Sequence, residues 1–375
     1  MTSISKTKHV DPCSEQCLPN RALSSIQPTG SSLKVLLAAT VAPLLMTGCE
    51  APLNLEGVTQ ELQKQVRRTD QFQAIASNGA TLVAVGDDGL VMTSPENKLA
   101  WTRQQISEQP PLVDVASCPD NSFVALSMDK KVWRSDDNGS SWQASDLPTQ
   151  EDVMALTCAP DSSIWVVGSF STILSSNDQG QNWNENTLGE DAFLTSIVFL
   201  DAHTAILTGE FGVVSRSDDG GQSWNEPEYI PNDFYIQGAH FNSVDVGWVA
   251  GLSGQILFTE DAGMNWTQQQ TPTESPIYGF YRIDGELFAY GDHGTVLKLD
   301  GISWHKVAVE GGKPVYLRDA QRLNDGSLLL AGGSGSLLSL DLTSSLDLKP
   351  SIDPQLSQKL SHNTELSADS QLLNN

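Results

Sequence analysis

The sequence predicts an all-β fold, a seven-bladed β-propeller of four-stranded blades, because two independent markers repeat with one period. The first marker is a tryptophan at spacings of 41, 41, 41, 42 and 38 residues: Trp101, Trp142, Trp183, Trp224, Trp266 and Trp304. The second is a small residue that ends an apolar run, at spacings of 41, 41, 41, 42, 40 and 41 residues: Gly86, Ser127, Gly168, Gly209, Gly251, Gly291 and Gly332. A period of about 40 residues is typical of propeller blades.

The unit at 194–224 shows the strand pattern within one period. Short β-branched or aliphatic runs lie at 197–199, 205–209 and 213–217, turn residues separate them, and Ser223-Trp224 opens a fourth run. Four short strands in each unit indicate a blade and not a helical repeat.

Seven small-residue markers predict seven blades over residues 62–342, but the last unit, 314–342, contains only three runs. We therefore expect residues 62–68 to supply its outer strand, since open sheet edges would invite aggregation. The polar tail at 343–375 has no strand alternation and is predicted to be disordered, with an eighth, degenerate blade as the alternative.

The N-terminal part predicts export and lipid anchoring. The apolar run at 35–46 is too short to span a bilayer and fits a signal peptide. Because it ends in Met46-Thr47-Gly48-Cys49, a lipobox-like motif, we expect residues 1–48 to be an N-terminal extension and lipoprotein signal peptide. Cys49 would then carry lipid at the start of a tether, 49–61, on the periplasmic face of a bacterial membrane. The sequence leaves open which membrane this is, where translation starts, and whether the cysteine is incidental.

The charge excludes one class of partner. The chain has a formal net charge of −25, and residues 49–375 carry 17 basic against 44 acidic side chains. Such a surface repels nucleic acid, because phosphate binding needs clustered Lys and Arg.

The cysteines in the propeller, Cys118 and Cys158, follow the innermost strands of adjacent blades. Packed sheets lie about 10 Å apart, whereas a disulfide needs Cα atoms within about 7 Å. We therefore expect two buried thiols, although export would also permit a disulfide.

Four units carry the pattern S/T-x-D-x-G-x-x-W between their third and fourth runs. The Asp can accept N–H groups of its own turn, the Gly supplies a positive φ, and the Trp fills the space between sheets. We assign a structural role to these residues: Asp137, Gly139, Trp142; Asp178, Gly180, Trp183; Asp219, Gly221, Trp224; and Asp261, Gly263, Trp266.

This pattern is the Asp-box, or bacterial neuraminidase repeat. Combined with the preceding Gly209-Glu-Phe-Gly212-Val-Val, it resembles the photosystem II stability/assembly factor family of seven-bladed propellers over residues 62–342. The resemblance implies a protein-binding assembly factor for a membrane complex, whose members hold a client membrane protein through an arginine-bearing surface.

Asp-box repeats also occur in sialidases, so a sialidase-like glycosidase or carbohydrate-binding propeller is the alternative function. Sialidases resemble one another in an arginine triad whose first member lies in an [FY]-R-I-P motif. Here Tyr281-Arg282-Ile283-Asp284 lacks the proline and lies in blade six. We therefore expect no catalytic residues, no cofactor and no metal site.

A propeller binds partners on the face formed by the turns between second and third strands and by the links between blades. These turns contribute acidic and aromatic residues that suit a basic or amphipathic protein segment. The predicted partner-binding residues are Asp87, Asp88, Asp129, Phe170, Glu210, Phe211, Asp292 and His293. The alternative is that the turns are merely solvated and the phenylalanines pack inward. The sequence thus predicts a lipid-anchored scaffold for a membrane-protein client or transport complex, whose identity and photosynthetic role it does not specify.

Overall fold

Seven antiparallel sheets build the described part of the chain, residues 55–232 and 234–342 of a computed structural model. The first three blades contain β1 (Phe72–Ser77), β2 (Thr81–Gly86), β3 (Leu90–Pro95), β4 (Thr102–Gln105); β5 (Leu112–Ser117), β6 (Phe123–Ser127), β7 (Lys131–Ser135), β8 (Gln143–Asp146); and β9 (Val153–Cys158), β10 (Ile164–Gly168), β11 (Thr172–Ser176), β12 (Asn184–Thr187). Blades four and five contain β13 (Leu194–Phe199), β14 (Ala205–Gly209), β15 (Val213–Ser217), β16 (Glu228–Tyr229); and β17 (Gly238–Phe241), β18 (Gly247–Ala250), β19 (Ile256–Thr259), β20 (Thr267–Gln269). Blades six and seven contain β21 (Ile277–Ile283), β22 (Glu286–Gly291), β23 (Val296–Asp300), β24 (Ser303–Lys306); and β25 (Leu317–Arg322), β26 (Leu328–Gly332), β27 (Ser336–Leu340).

The first strands of successive blades contact one another in cyclic order, and β25 contacts β1, so the sheets form a closed ring. The predicted seven-bladed propeller is confirmed. One short helix, α1 (Glu56–Leu62), precedes the first blade.

The second strand of each blade forms the core. In β6, β10, β14 and β26 every residue is buried, and their sequences are almost continuously apolar. This pattern arises because each sheet is covered on both faces by neighbouring blades, which removes the usual alternation of apolar and polar residues. Side chains from adjacent blades interlock there, with Trp133 only 2% exposed between blades one and two.

The prediction of an N-terminal outer strand at 62–68 was wrong, since blade seven has three strands within the described residues. The segment turns locally after α1: Lys64 N donates to Glu61 O, and Arg67 N donates to the Asp70 carboxylate at 2.7 Å. These local bonds use donors that a β-ladder would need.

The same segment still connects the first and last blades. Gly335 N donates to Asp70 O at 2.8 Å, and Val66 packs in the cluster that contains Leu337. The Asp70 carboxylate, 2% exposed, forms a 2.8 Å ion pair with Arg103 of β4. Side chains and single hydrogen bonds, rather than a fourth strand, thus hold residues 63–70 between blades seven and one.

The expectation of two free thiols was also wrong, because Cys118 and Cys158 form a disulfide with a Cα–Cα distance of 5.1 Å. The two residues do not occupy equivalent positions: Cys158 is the last residue of β9, whereas Ser117 is the last residue of β5. Side chains alternate between faces along a strand, so this offset of one residue turns the two cysteines toward each other. The inner strands also converge at the ring centre, inside the usual separation of packed sheets.

Several predictions concern residues outside the described ones: the signal peptide within 1–48, lipidation of Cys49, and the tail at 343–375. The helix α1 covers residues 56–61 of the predicted tether and extends to Leu62. No helix in the described part of the chain combines the length and apolar character needed to cross a membrane.

Candidate functional site

The antiparallel strands divide the propeller into two faces. We call the face with the turns between second and third strands and the links between blades the turn face. The opposite face carries the Asp-box turns between third and fourth strands, and we call it the Asp-box face.

In six of the seven blades the turns of the turn face share one backbone conformation. The residue two positions after the small-residue marker has a left-handed φ in these blades: Asp88 at 57°, Phe170 at 50°, Phe211 at 56°, Ser253 at 56°, His293 at 55° and Ser334 at 53°. The glycine at the start of such a turn allows close approach to the link between blades. A Cβ on Gly168, for example, would lie 1.9 Å from the Asp152 carbonyl oxygen. The backbone therefore fixes where each tip side chain projects.

Six of the eight predicted partner-binding residues are exposed on these tips: Asp87, Asp88, Asp129, Phe170, Phe211 and His293. Phe170 is 56% and Phe211 51% exposed, so the alternative in which both rings pack inward was wrong. The other two, Glu210 and Asp292, are half-buried. The Glu210 carboxylate accepts a hydrogen bond from Phe193 N at 3.0 Å, and Asp292 lies 3.2 Å from His293 Nδ1. The eight residues are distributed around the ring and do not meet in one cleft.

The structure adds three further exposed side chains to the predicted partner-binding residues of this face. Met128 is 61% and Leu252 is 50% exposed in the turns of blades two and five. Tyr229, at the end of β16 beside the turn of blade four, is 52% exposed. Aligning the seven turns on their small-residue markers would have shown Met128 and Leu252 at one position, directly after Ser127 and Gly251.

Charge on the turn face is predominantly acidic. Between blades two and four it carries Asp129, Glu151, Asp152, Glu190, Asp191 and Glu210 against Lys130 and Lys131. Lys131 pairs with Glu108 and Asp129, and Lys130 lies 3.8 Å from the Asp152 carboxylate. In blade one, partial burial and the neighbouring Asp88 raise the pKa of Asp87 above its usual value.

The turn face also contains the mouth of the central channel. A cavity of about 290 Å³ lies among the first strands, and Arg318 is the one basic side chain among its lining residues. The Arg318 guanidinium stacks over the Tyr278 ring at 5.3 Å, with Tyr235 and Tyr290 also lining the cavity. The channel is thus polar and aromatic, and the half-buried carboxylates Asp114 and Asp319 also line it.

Both carboxylates, Asp114 and Asp319, link blades. Asp114 accepts Leu156 N of the next blade at 2.7 Å, and Asp319 accepts Ile75 N across the closure of the ring at 2.8 Å. Burial raises the pKa of Asp114 to about 7 and that of Asp319 to about 6, against hydrogen bonds that favour the charged form. Their place in the strands indicates a role in blade packing.

The Asp-box turns form one hydrogen-bond pattern four times. In the third copy, Asp219 accepts Ser217 Oγ at 2.8 Å, Ser223 N at 2.9 Å and Ser223 Oγ at 2.6 Å. Hydrogen bonds of this kind lower the pKa of Asp178 and Asp219 to about 2. The four glycines, with φ between +79° and +89°, complete the turns: Gly139, Gly180, Gly221 and Gly263. The carboxylates are fully used within their own turns and are unsuited to acid–base catalysis.

The structure does not bring arginines together into a sialidase-like triad. Arg134, Arg216 and Arg322 each pair with aspartates near the Asp-box face. Arg282 donates to the Asn242 side chain at 3.0 Å on that side, whereas Arg318 lies in the channel. Among the residues described, no three His, Cys, Asp or Glu side chains are grouped as metal ligands would be.

These features define a closed Asp-box β-propeller with a rigid, acidic and partly apolar turn face. Its repeats match the family model described as "Photosynthesis system II assembly factor YCF48" at residues 134–229 and 182–276. Over these residues the chain is similar to this family, as the Asp-box pattern predicted.

Solved structures share the fold at low sequence identity. YCF48 from Cyanidioschyzon merolae is 16% identical with a TM-score of 0.60, over 72% of this chain and 95% of its own. A structure of YCF48 bound to D1 peptide is 14% identical with a TM-score of 0.61, over 72% of this chain and 93% of its own. Virginiamycin B lyase from Staphylococcus aureus is 12% identical with a TM-score of 0.62, over 74% of this chain and 97% of its own. The same architecture therefore occurs in assembly factors and in a lyase. No curated protein sequence matches the chain significantly.

Proposed function

We propose that this chain is a lipid-anchored scaffold that binds a protein client on its turn face during assembly of a membrane complex, without enzymatic activity. The observation that carries the proposal is the turn face itself, where acidic and aromatic side chains project from fixed turns. The resemblance to YCF48 supports a protein-binding role, since one related structure is of YCF48 bound to D1 peptide. The scattered arginines and fully bonded Asp-box carboxylates support the absence of glycosidase chemistry.

The anchor rests on the sequence. Met46-Thr47-Gly48-Cys49 follows an apolar run of signal-peptide length, and a lipidated Cys49 would begin the mature chain. Lipid at this position would tether the propeller, through residues 50–61, to the membrane in which a client resides.

Replacing Cys49 with serine is expected to move the protein from the membrane fraction to the soluble fraction, because it removes the acceptor of the lipid. The measurement is immunoblotting of both fractions after a carbonate wash. Cys17→Ser, which changes a cysteine ahead of the apolar run, is the matched control and should leave the protein on the membrane. Retention of the Cys49→Ser variant in the washed membranes would contradict the anchor.

Neutralising acids of the turn face is expected to reduce the amount of client that co-purifies from detergent-solubilised membranes by about fivefold or more, because electrostatic attraction drives encounter. The variant combines Asp87→Asn, Asp88→Asn, Glu210→Gln and Asp292→Asn. Amides keep an oxygen acceptor for groups such as Phe193 N, so the turns are expected to fold normally. Quantitative mass spectrometry of the co-purified proteins measures the effect.

The control makes the same change in charge on the other face. It combines Asp136→Asn, Asp218→Asn, Glu260→Gln and Asp300→Asn, all exposed acids near the Asp-box turns. Equal loss of client in both variants would show that only net charge matters. Loss in the control variant alone would place the client on the Asp-box face and refute the proposal.

A further inference from the structure

Exposed apolar side chains of the turns between second and third strands are confined to four consecutive blades. We call Met128, Phe170, Phe211 and Leu252, together with Tyr229 beside Phe211, the apolar arc. Each is between 50% and 61% exposed. At the same turn positions, blades one, six and seven carry only polar residues or glycine: Asp87, Asp88, Asp292, His293, Gly333 and Ser334. The face therefore has an apolar side and a polar side.

The two phenylalanines occupy a backbone conformation that does not favour them. Phe170 and Phe211 have φ values of 50° and 56°, a region sparsely populated by bulky residues. Polar residues such as Ser253 occupy the equivalent tip without exposing a ring. Strained exposed positions of this kind cluster where proteins bind ligands.

The arc is bordered by negative charge. The links that separate its blades carry Glu151, Asp152, Glu190 and Asp191, and Asp129 follows Met128 directly. The two nearby cations, Lys130 and Lys131, are each within 4.0 Å of a carboxylate. An anionic membrane surface or nucleic acid would be repelled here, whereas a cationic segment would be attracted.

We propose that the apolar arc and its acidic border bind a cationic amphipathic segment of a polypeptide, with its apolar side on Phe170 and Phe211 and its basic side chains over the bordering carboxylates. This inference rests on the proposed function and specifies the chemistry of the client. Aromatic residues and methionine are enriched at protein interfaces, and acidic borders mainly accelerate association.

The spacing of adjacent blades suggests a helical probe. Packed sheets lie about 10 Å apart, and an α-helix presents the same side every seven residues, or about 10 Å. The probe is an 18-residue peptide of Leu and Lys with Leu on one helical side. A peptide of the same composition in scrambled order and one with Glu in place of Lys serve as comparisons.

The test measures binding of these peptides by fluorescence anisotropy to the full chain in the Cys49→Ser background, with and without Phe170→Ser and Phe211→Ser. Serine adopts the left-handed tip conformation in blades five and seven, so the variant is expected to fold. We expect the amphipathic peptide to bind the unmodified tips, and to bind at least tenfold more weakly to the phenylalanine variant. The scrambled and acidic peptides are expected to bind at least tenfold more weakly to the unmodified protein.

Two exposed apolar residues away from the turn face provide the matched control. Met264 is 71% and Ile302 is 79% exposed, and Met264→Ser with Ile302→Ser should leave the affinity unchanged. Equal affinity for the scrambled peptide, or equal losses in both double variants, would overturn the inference. So would binding to phosphatidylglycerol vesicles without binding to the peptide, which would assign the arc to lipid.

Co-purification separates this inference from the proposed function. Client retained by the phenylalanine variant but lost by the four-amide variant would refute the role of the arc and leave the turn face as the client site. Client retained by both variants would refute the turn face itself. Loss in both, with peptide binding as expected, would support both proposals.

Discussion

Removing the disulfide with Cys118→Ser and Cys158→Ser is expected to lower the free energy of unfolding by about 4 kcal/mol. The bond spans a sequence separation of 40 residues. In the chain-entropy account, cross-linking a loop of that length raises the free energy of the unfolded state by about 4 kcal/mol, because it reduces the entropy of the unfolded chain. At about 2 °C per kcal/mol for a domain of this size, the melting temperature should fall by about 8 °C.

Calorimetry with and without reductant provides the check. Reduction of the wild-type protein should reproduce the shift, whereas the double variant should melt at one temperature in both conditions. The result would count against a stabilising disulfide if the wild type melted identically with and without reductant, with free thiols shown by titration in both samples.

Asp319→Ala is expected to destabilise the propeller by about 4 kcal/mol at pH 5 and by about 2.5 kcal/mol at pH 8. The substitution removes the acceptor of Ile75 N across the ring closure and of Ala320 N within β25. An orphaned buried donor costs about 1–3 kcal/mol, so two of them account for the effect at low pH.

The pH dependence follows from the raised pKa. Asp319 has a folded-state pKa of about 6, above the 3.8 of an unfolded chain, so the folded state binds its proton more tightly. The corresponding stability is fully present below pH 4 and is lost as the pH rises through 6, at about 3 kcal/mol in all, of which about 1.5 kcal/mol is lost above pH 5. The alanine variant has no carboxyl at this position and does not lose this stability. The difference in the free energy of unfolding between wild type and variant therefore shrinks as the pH rises.

Urea unfolding at pH 5, 6, 7 and 8 measures the difference. Asp319→Asn is the matched control, because its amide oxygen can still accept one of the two backbone N–H groups. It should lose about half as much stability at pH 5. A difference between wild type and alanine variant that grows with pH would contradict the raised pKa of Asp319.

The architecture could be predicted from the sequence because each blade repeats the same pattern of buried strands and Asp-box turns. The second strands are apolar throughout since both faces are covered, and Trp and Gly recur where the Asp-box turn requires them. Repetition also made the blade count reliable. It gave no information on residues 62–68, because local turns around Glu61 and Asp70 compete with β-pairing and no repeat unit contains them.

The disulfide was predictable in principle. The two cysteines are 40 residues apart, whereas the blades around them repeat every 41, so the side chains face each other across the gap. The prediction of two thiols relied on the general spacing of packed sheets and did not use this offset of one residue. By contrast, the exposure of Phe170 and Phe211 depends on a left-handed backbone at the turn tips, which a sequence without glycine at those positions does not reveal.

The sequence predicted which residue types the turn face carries, but it did not predict how the exposed apolar residues are arranged around the ring. The acidic turn tips were predicted from the register of the repeats, but the Glu210 carboxylate already accepts a hydrogen bond from Phe193 N. The apolar arc was overlooked because Met128 and Leu252 are single apolar residues in loops, where isolated exposure is ordinary. Met128 and Leu252 are recognised as part of the apolar arc only when the turns of all blades are compared around the ring.

The turn tips are attached to the propeller by their backbones. In six blades the residue after the small-residue marker donates its N–H to a carbonyl oxygen of the adjoining link; the donors are Asp87, Met128, Ser169, Glu210, Asp292 and Gly333. Five different residue types thus make the same bond. Because the attachment does not depend on the side chain, evolution or a protein engineer can exchange the residues of each tip one at a time without losing this backbone hydrogen bond. The turn face can therefore acquire new specificities without requiring a new fold.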